Sequence, residues 1–273
     1  MKTGRQSEQG FTILEMMMAV AIFLIICAVM FDLLNLSQKK YSSETQLTAA
    51  YQDARLALDQ IVRDVNASGF PPAGLYSVVP SSPQSFASSA VAWSPGYTTL
   101  PQPVPCLIGT AGGGTCQTPG DYDLIVETRL GRDANVSWIW YHLDPPTSIL
   151  YRAVITKTSG DPYTTVQTSG AQVAFLANVM NDAPTAQPAL LTQINANYPS
   201  MFPGAAAQPI FQYSCDTPSG TMPCPLAGNY DSPQNIRDVD VTLIVKTPQP
   251  DMQTQALKLV ELNGRGHRVN PIN

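Results

Sequence analysis

An unbroken apolar run of 21 residues, 11–31, constrains this chain more than any other feature. As an α-helix it would be about 31 Å long at 1.5 Å per residue. That matches the hydrocarbon core of a bilayer, roughly 30 Å. The only strongly polar side chains in the run are Thr12 and Glu15. A carboxylate at membrane depth is destabilising unless it finds a partner, so Glu15 reads as a functional group. A plainer role is also open to it, because the helix dipole favours an acid at a helix N-terminus.

The remainder of the chain narrows the class. Its 273 residues allow one or two domains. Charged residues make up 13%, against roughly 25% in an average soluble domain. The formal net charge is −5 with no basic patch, which argues against a nucleic-acid partner. The 18 glycines and 24 prolines favour loop-rich β structure over a helical bundle. Of five cysteines, Cys27 lies in the apolar run and counts there as a small hydrophobe. The others form two close pairs, Cys106/Cys116 and Cys215/Cys224. Pairing neighbours is the simplest of three possible connectivities, and disulfides imply an oxidising compartment. A four-thiolate zinc site lacks the usual two-residue ligand spacing.

Three ordinary explanations of the N-terminus fit poorly. A secretory signal has an apolar core of about 7–15 residues and a small-residue cleavage site; this run is longer and ends in Met30-Phe31-Asp32. A lipoprotein signal needs a small residue before Cys27, where Ile26 stands. A plain membrane anchor has no need of Gly10 or Glu15.

Gly10-Phe11-Thr12-Ile13-Leu14-Glu15 follows a short polar leader with Lys2, Arg5 and Glu8 and opens the apolar helix. It resembles the class III signal of type IV prepilins and type II secretion pseudopilins. The resemblance implies that a prepilin peptidase cuts between Gly10 and Phe11 and that Phe11 is methylated. It also implies that Glu15 meets the N-terminal amine of a neighbouring pilin. Inside an apolar filament core each charge would relieve the other's desolvation.

The helix should continue into water. No proline or glycine occurs in residues 11–68. Leu47, Tyr51, Ala54, Leu58, Ile61 and Val65 form one stripe at helical spacing, with Asp53, Gln60, Arg63 and Asp64 opposite. A coiled coil is the alternative for this stripe, which is short for one. Gly69 stands where a C-cap belongs, and Pro71-Pro72 prevents continuation. We expect one helix from Thr12 to Ala67. Residues 54–65, followed by Gly69-Phe70, also resemble the corresponding stretch of PilW-type minor pilins.

Residues 70–105, with eight prolines and seven serines, read as a long irregular loop. Ala111-Gly112-Gly113-Gly114 lacks the Lys-Ser/Thr and helix of a phosphate-cradling loop and reads as a disulfide-tied turn. Strand signals follow at 122–128, 136–143 and 149–156, the last two joined through a turn at 144–148. Further strands are expected at 173–176, 210–213, 239–246 and 256–262, with irregular chain over 181–234. The aromatic strand, polar turn and Leu150-Tyr151-Arg152 again resemble PilW-type proteins.

Active-site chemistry is not apparent. His142 shares a strand face with Trp138 and Trp140, and His267 lies in what reads as a flexible tail. Asp121/Asp123 and Asp238/Asp240 could bind calcium, but each pair sits at a strand start, where solvated acids are ordinary. Trp138, Trp140 and Tyr141 could contact a sugar or a surface, but they fit sheet packing better. We expect no catalytic residue, cofactor or metal.

The expected fold is α+β, a long N-terminal helix on an antiparallel sheet head with long loops, as the pilin resemblance also implies. The expected organisation is a leader at 1–10, a transmembrane and filament-core helix at 11–36, its amphipathic continuation at 37–69 and a head at 70–273. Lys2 and Arg5 favour a cytoplasmic leader. Lys39 and Lys40 weaken that bias, and the cysteines place the head outside the cytoplasm. The expected function is a minor pilin-type subunit, anchored in the inner membrane and then built into a type IV pilus at a priming or tip position. A J-type pseudopilin is the alternative, and a membrane-anchored binding protein or enzyme a more distant one.

Overall fold

The computed structural model describes residues 12–78, 80–92, 120–131, 134–187, 190, 194, 197–217, 219–224 and 235–269. Gly10, Phe11, Cys106, Cys116 and the glycine run at 112–114 lie outside the described residues. One long helix, α1 (Ile13–Asn66), precedes a β-rich head. The strands are β1 (Val91–Ala92), β2 (Asp123–Thr128), β3 (Ser137–Asp144), β4 (Ile149–Thr156), β5 (Val173–Leu176), β6 (Phe211–Thr217), β7 (Gly220–Pro223), β8 (Ile236–Lys246) and β9 (Leu259–His267). Two short helices, α2 (Pro162–Thr168) and α3 (Ala183–Ala186), lie between them. The fold is α+β, a long apolar N-terminal helix with antiparallel sheets, consistent with a pilin-like fold.

The 54 residues of α1 span about 81 Å. Thr12 caps the N-terminus and Ala67 the C-terminus, so Gly69 is not the cap itself. With φ +78° it turns the chain two residues later, where its N–H donates to the Glu127 carbonyl of β2. Left-handed backbone of this kind is most readily adopted by glycine.

The head holds two antiparallel sheets instead of one, in the orders β1-β2-β3-β4-β5 and β7-β6-β8-β9. Residues 178–180 join them: Val179 N–H donates to Ser148 at the β3–β4 turn, while Met180 N–H donates to Ile244 of β8. The principal core lies between α1 and the inner faces of both sheets. It includes Leu124, Ile139, Tyr141, Leu150, Phe211, Val239, Val241, Leu243 and Val245. The outer face of the first sheet carries Trp138 and Trp140, which pack with Val166 of α2. Met180, Ile194 and Phe202 cover Ile244 and Leu259 in a third cluster.

The helix buries the expected stripe at Ala54, Leu58, Ile61 and Val65 and widens it toward Ala50 and Ala57. Ala50, Ala54, Ala57, Leu58, Ile61 and Val65 are buried, whereas Tyr51 keeps 42% of its surface exposed. Alanines face the head because β9 approaches closely. A Cβ placed on Gly264 would lie 2.9 Å from Leu58 Cδ1, and one on Gly266 would lie 2.5 Å from Val65 Cγ1. Residues 263–267 are therefore an ordered edge strand against the helix and not a flexible tail; His267 N–H also donates to Asn66 Oδ1 at 2.7 Å. Asp64 departs from the expected solvent face as well and is buried. The strand expected at 210–213 is present as β6 and extends to Thr217, whereas β1, β7 and α3 lie in segments read as irregular.

Candidate assembly site

Among the described residues nothing covers the apolar half of α1. Residues 12–41 are exposed except half-buried Cys27, and the first buried side chain is Ser43. Ile13, Leu14, Met16, Met17, Phe23, Ile25 and Phe31 each expose 64% or more of their surface. The helix is long and apolar enough to cross a membrane. Such a surface in water is destabilising in proportion to its area, so it demands a lipid or protein environment.

Glu15 stands at the start of this helix. Its Oε2 accepts from Thr12 N–H at 3.1 Å and from Thr12 Oγ1 at 3.0 Å, while Thr12 Oγ1 accepts from Glu15 N–H at 3.3 Å. This is a capping box, satisfying backbone donors that the helix itself leaves unpaired. The Thr12-x-x-Glu15 spacing is the sequence signal for it, and reading Glu15 only against the dipole misses Thr12. Oε1 has no donor among the described residues, so the carboxylate can still accept from an incoming cation.

Two buried ion pairs of the head are internally satisfied, whereas Arg129 Nε is buried with no hydrogen-bond partner among the described residues. Asp64 Oδ2 accepts from Tyr141 Oη at 2.5 Å and pairs with Arg152 at 2.8 Å, while Asp64 Oδ1 accepts from Gln60 at 2.8 Å. Burial first, and then the charge and hydrogen bond of Asp64, hold the Tyr141 phenol far above its usual range against the opposing pull of Arg152. Lys157 and Glu127 form a second pair at 3.0 Å, with side chains 3% and 4% exposed. Glu127 also accepts from Trp138 Nε1 and Ser88 N–H, and Lys157 donates to Ser88 Oγ and the Phe86 carbonyl. Buried pairs of this kind persist when their remaining hydrogen bonds are made.

Three of the four acids weighed for calcium, Asp123, Asp238 and Asp240, have protein partners. Asp123 accepts from Trp140 Nε1 at 3.1 Å and pairs with His142 at 2.7 Å. Asp238 pairs with His267, and Asp240 with Arg265. Burial pushes the Asp121 carboxyl up. Among the described residues no three metal-ligating groups converge. Burial opposes charging of His142, yet the bond to Asp123 and the charges of Asp123 and Asp144 outweigh it and raise its pKa. Trp138, Trp140 and Tyr141 are all buried, Trp140 stacking on His142, so they are packing residues and not a surface contact. Cys215 and Cys224 are bonded as a disulfide that ties β6 to the chain after β7.

Residues 5–31 match the prokaryotic N-terminal methylation motif. The chain thus carries a prepilin-type signal, which supports the class of type IV pilin-like and pseudopilin subunits. No curated protein and no solved structure matches the chain.

Proposed function

We propose that this protein is a minor pilin of PilW type that takes part in type IV pilus assembly at a priming or tip position. The observation that carries the reading is the methylation motif opening directly into an apolar helix that its own head leaves uncovered. Residues 1–10 are the leader, removed by prepilin peptidase between Gly10 and Phe11, and Phe11 becomes the methylated terminus. Residues 11–36 hold the subunit in the inner membrane and later in the filament core, 37–69 carry the helix into the head, and 70–273 form the head outside the cytoplasm.

Assembly, in this reading, moves the apolar helix from lipid into a bundle of neighbouring helices. Glu15 gives the bundle its register by accepting the terminal amine of an adjacent pilin, the uncommitted Oε1 supplying the acceptor. The paired Asp64/Arg152 and Glu127/Lys157 charges of the head favour a structural role over a catalytic one. A large loop-rich head suits an end of the filament, where bulk does not crowd the shaft.

Mass spectrometry of the protein purified from cells should find a methylated Phe11 as the first residue; an N-terminus at Met1 would count against the reading. Replacing Glu15 with Val should leave the subunit in the membrane but reduce its incorporation into pili, because a neighbour's ammonium would be buried unpaired. Undiminished assembly would exclude the role given to Glu15. The methylation motif equally accommodates a J-type pseudopilin, and complementation of a secretion mutant against a pilus mutant separates the two.

A further inference from the structure

Lys39 and Lys40 stand on α1 between its apolar half and the head, and filament assembly as proposed gives them no task. Both are exposed, and neither forms an ion pair among the described residues. The nearest acid one turn on, Glu44, is paired with Lys258 at 3.2 Å. Tyr41 beside them is 76% exposed.

The next turn is clamped to the head. Ser43 Oγ donates to Asp251 Oδ2 at 2.7 Å, and Lys258 pairs with Asp251 at 3.3 Å as well as with Glu44. Asp251 is fixed in turn by the N–H groups of Gln253 and Thr254 at 2.8 and 2.9 Å. The β8–β9 connection is thereby bolted to α1 at residues 43–44. No residue of α1 before Ser42, apart from half-buried Cys27, is shielded, so among the described residues this connection is the rim of the head nearest the apolar half. It carries Met252, 50% exposed.

The heights agree with a bilayer surface. Counted from Leu36, Lys39 and Lys40 rise about 4.5 and 6 Å along the helix, and Ser43 about 10 Å. The headgroup layer on one side of a bilayer is roughly 5–8 Å thick. Lysine ammonium groups settle at that level on flexible stems, and tyrosine favours the same interface. We infer that Lys39, Lys40 and Tyr41 form a lipid-headgroup collar. The two lysines take phosphodiester groups of the outer leaflet, and the Ser43–Asp251–Lys258–Glu44 clamp transmits that depth to the head, holding the rim around Met252 against the membrane. The net charge of −5 makes this attraction local to the collar and not a property of the whole chain. The inference rests on the membrane-anchored reading of α1.

The test uses the full chain carrying Cys27→Ala, with a fluorophore on Met252→Cys, in vesicles of phosphatidylcholine and phosphatidylglycerol containing a headgroup-nitroxide lipid. Quenching at Met252 should exceed that at Leu75→Cys, just beyond the far end of α1, by about twofold or more, and Lys39→Gln/Lys40→Gln should remove roughly half of it. Equal quenching at both sites, with a Phe23→Cys label still quenched by an acyl-chain nitroxide, overturns the collar and leaves the span standing. Absence of acyl-chain quenching at Phe23 overturns the span and the collar with it. Quenching unchanged in the double variant overturns the role of the lysines.

Discussion

Asp64 ties helix to sheet through Tyr141 of β3 and Arg152 of β4, while Gln60 of its own helix holds its other oxygen. Asp64→Asn removes the charge that compensates Arg152 and should destabilise the head by about 3 kcal/mol. That is the lower end for a broken buried pair, since the Arg152 side chain keeps 20% exposure; a denaturant titration with an Arg152→Met double-mutant cycle measures it. Burial raises the phenols of Tyr122, Tyr141 and Tyr213 above their ordinary value of 10.0. Below pH 10 both folded and unfolded chains keep these protons, and no pH dependence arises from them. Above it the unfolded chain releases protons that the folded head retains, so stability should fall as pH rises. Ultraviolet titration should show these tyrosinates appearing only together with unfolding. Sequence spacing alone put Asp64 on the solvent face, because a periodic stripe registers apolar residues and cannot see an arginine 88 positions later in the chain.

At the scale of elements, α1 and β9 meet through small residues, alanines on one side and Gly264 and Gly266 on the other. A methyl on Gly266 collides with the Val65 side chain at 2.5 Å, so Gly266→Ala should destabilise by about 1–3 kcal/mol through overpacking. Adding Val65→Ala should recover part of that loss in the same melting experiment, whereas Gly131→Ala would not respond to it. The β3–β4 hairpin was legible to within one residue, since its β-branched and aromatic runs flank a proline-rich turn. The Gly264-Arg265-Gly266 stretch was not, because glycine in sequence signals freedom, while here the absence of a Cβ serves close approach. The short helix α2 was not expected, although its Asp161 cap and the proline at its first position are local signals for it. The two-residue β1 carries no signal of its own and exists only by pairing with β2.

At the scale of the whole molecule, the described residues of the head rest on α1 from Ser43 onward, and the preceding 30 Å or more of helix adds no burial to them. A chain beginning at Lys39 should therefore fold as a soluble head, with a thermal midpoint matching that of the full chain in detergent; a markedly lower midpoint would mean that the apolar half supports the head. Sequence by itself determined the long uninterrupted helix, its apolar first half, the motif around Gly10, Phe11 and Glu15, and most strands of the head. These depend on local periodicity, breaker residues and short spacings, all written within a few turns of chain. The tertiary structure alone decided that the strands divide into two sheets joined at residues 178–180, that Asp64 turns inward beside the buried stripe, and where the buried charges find partners. Those outcomes depend on contacts between segments far apart in the chain, where shape and charge must fit at once and no local pattern records the match.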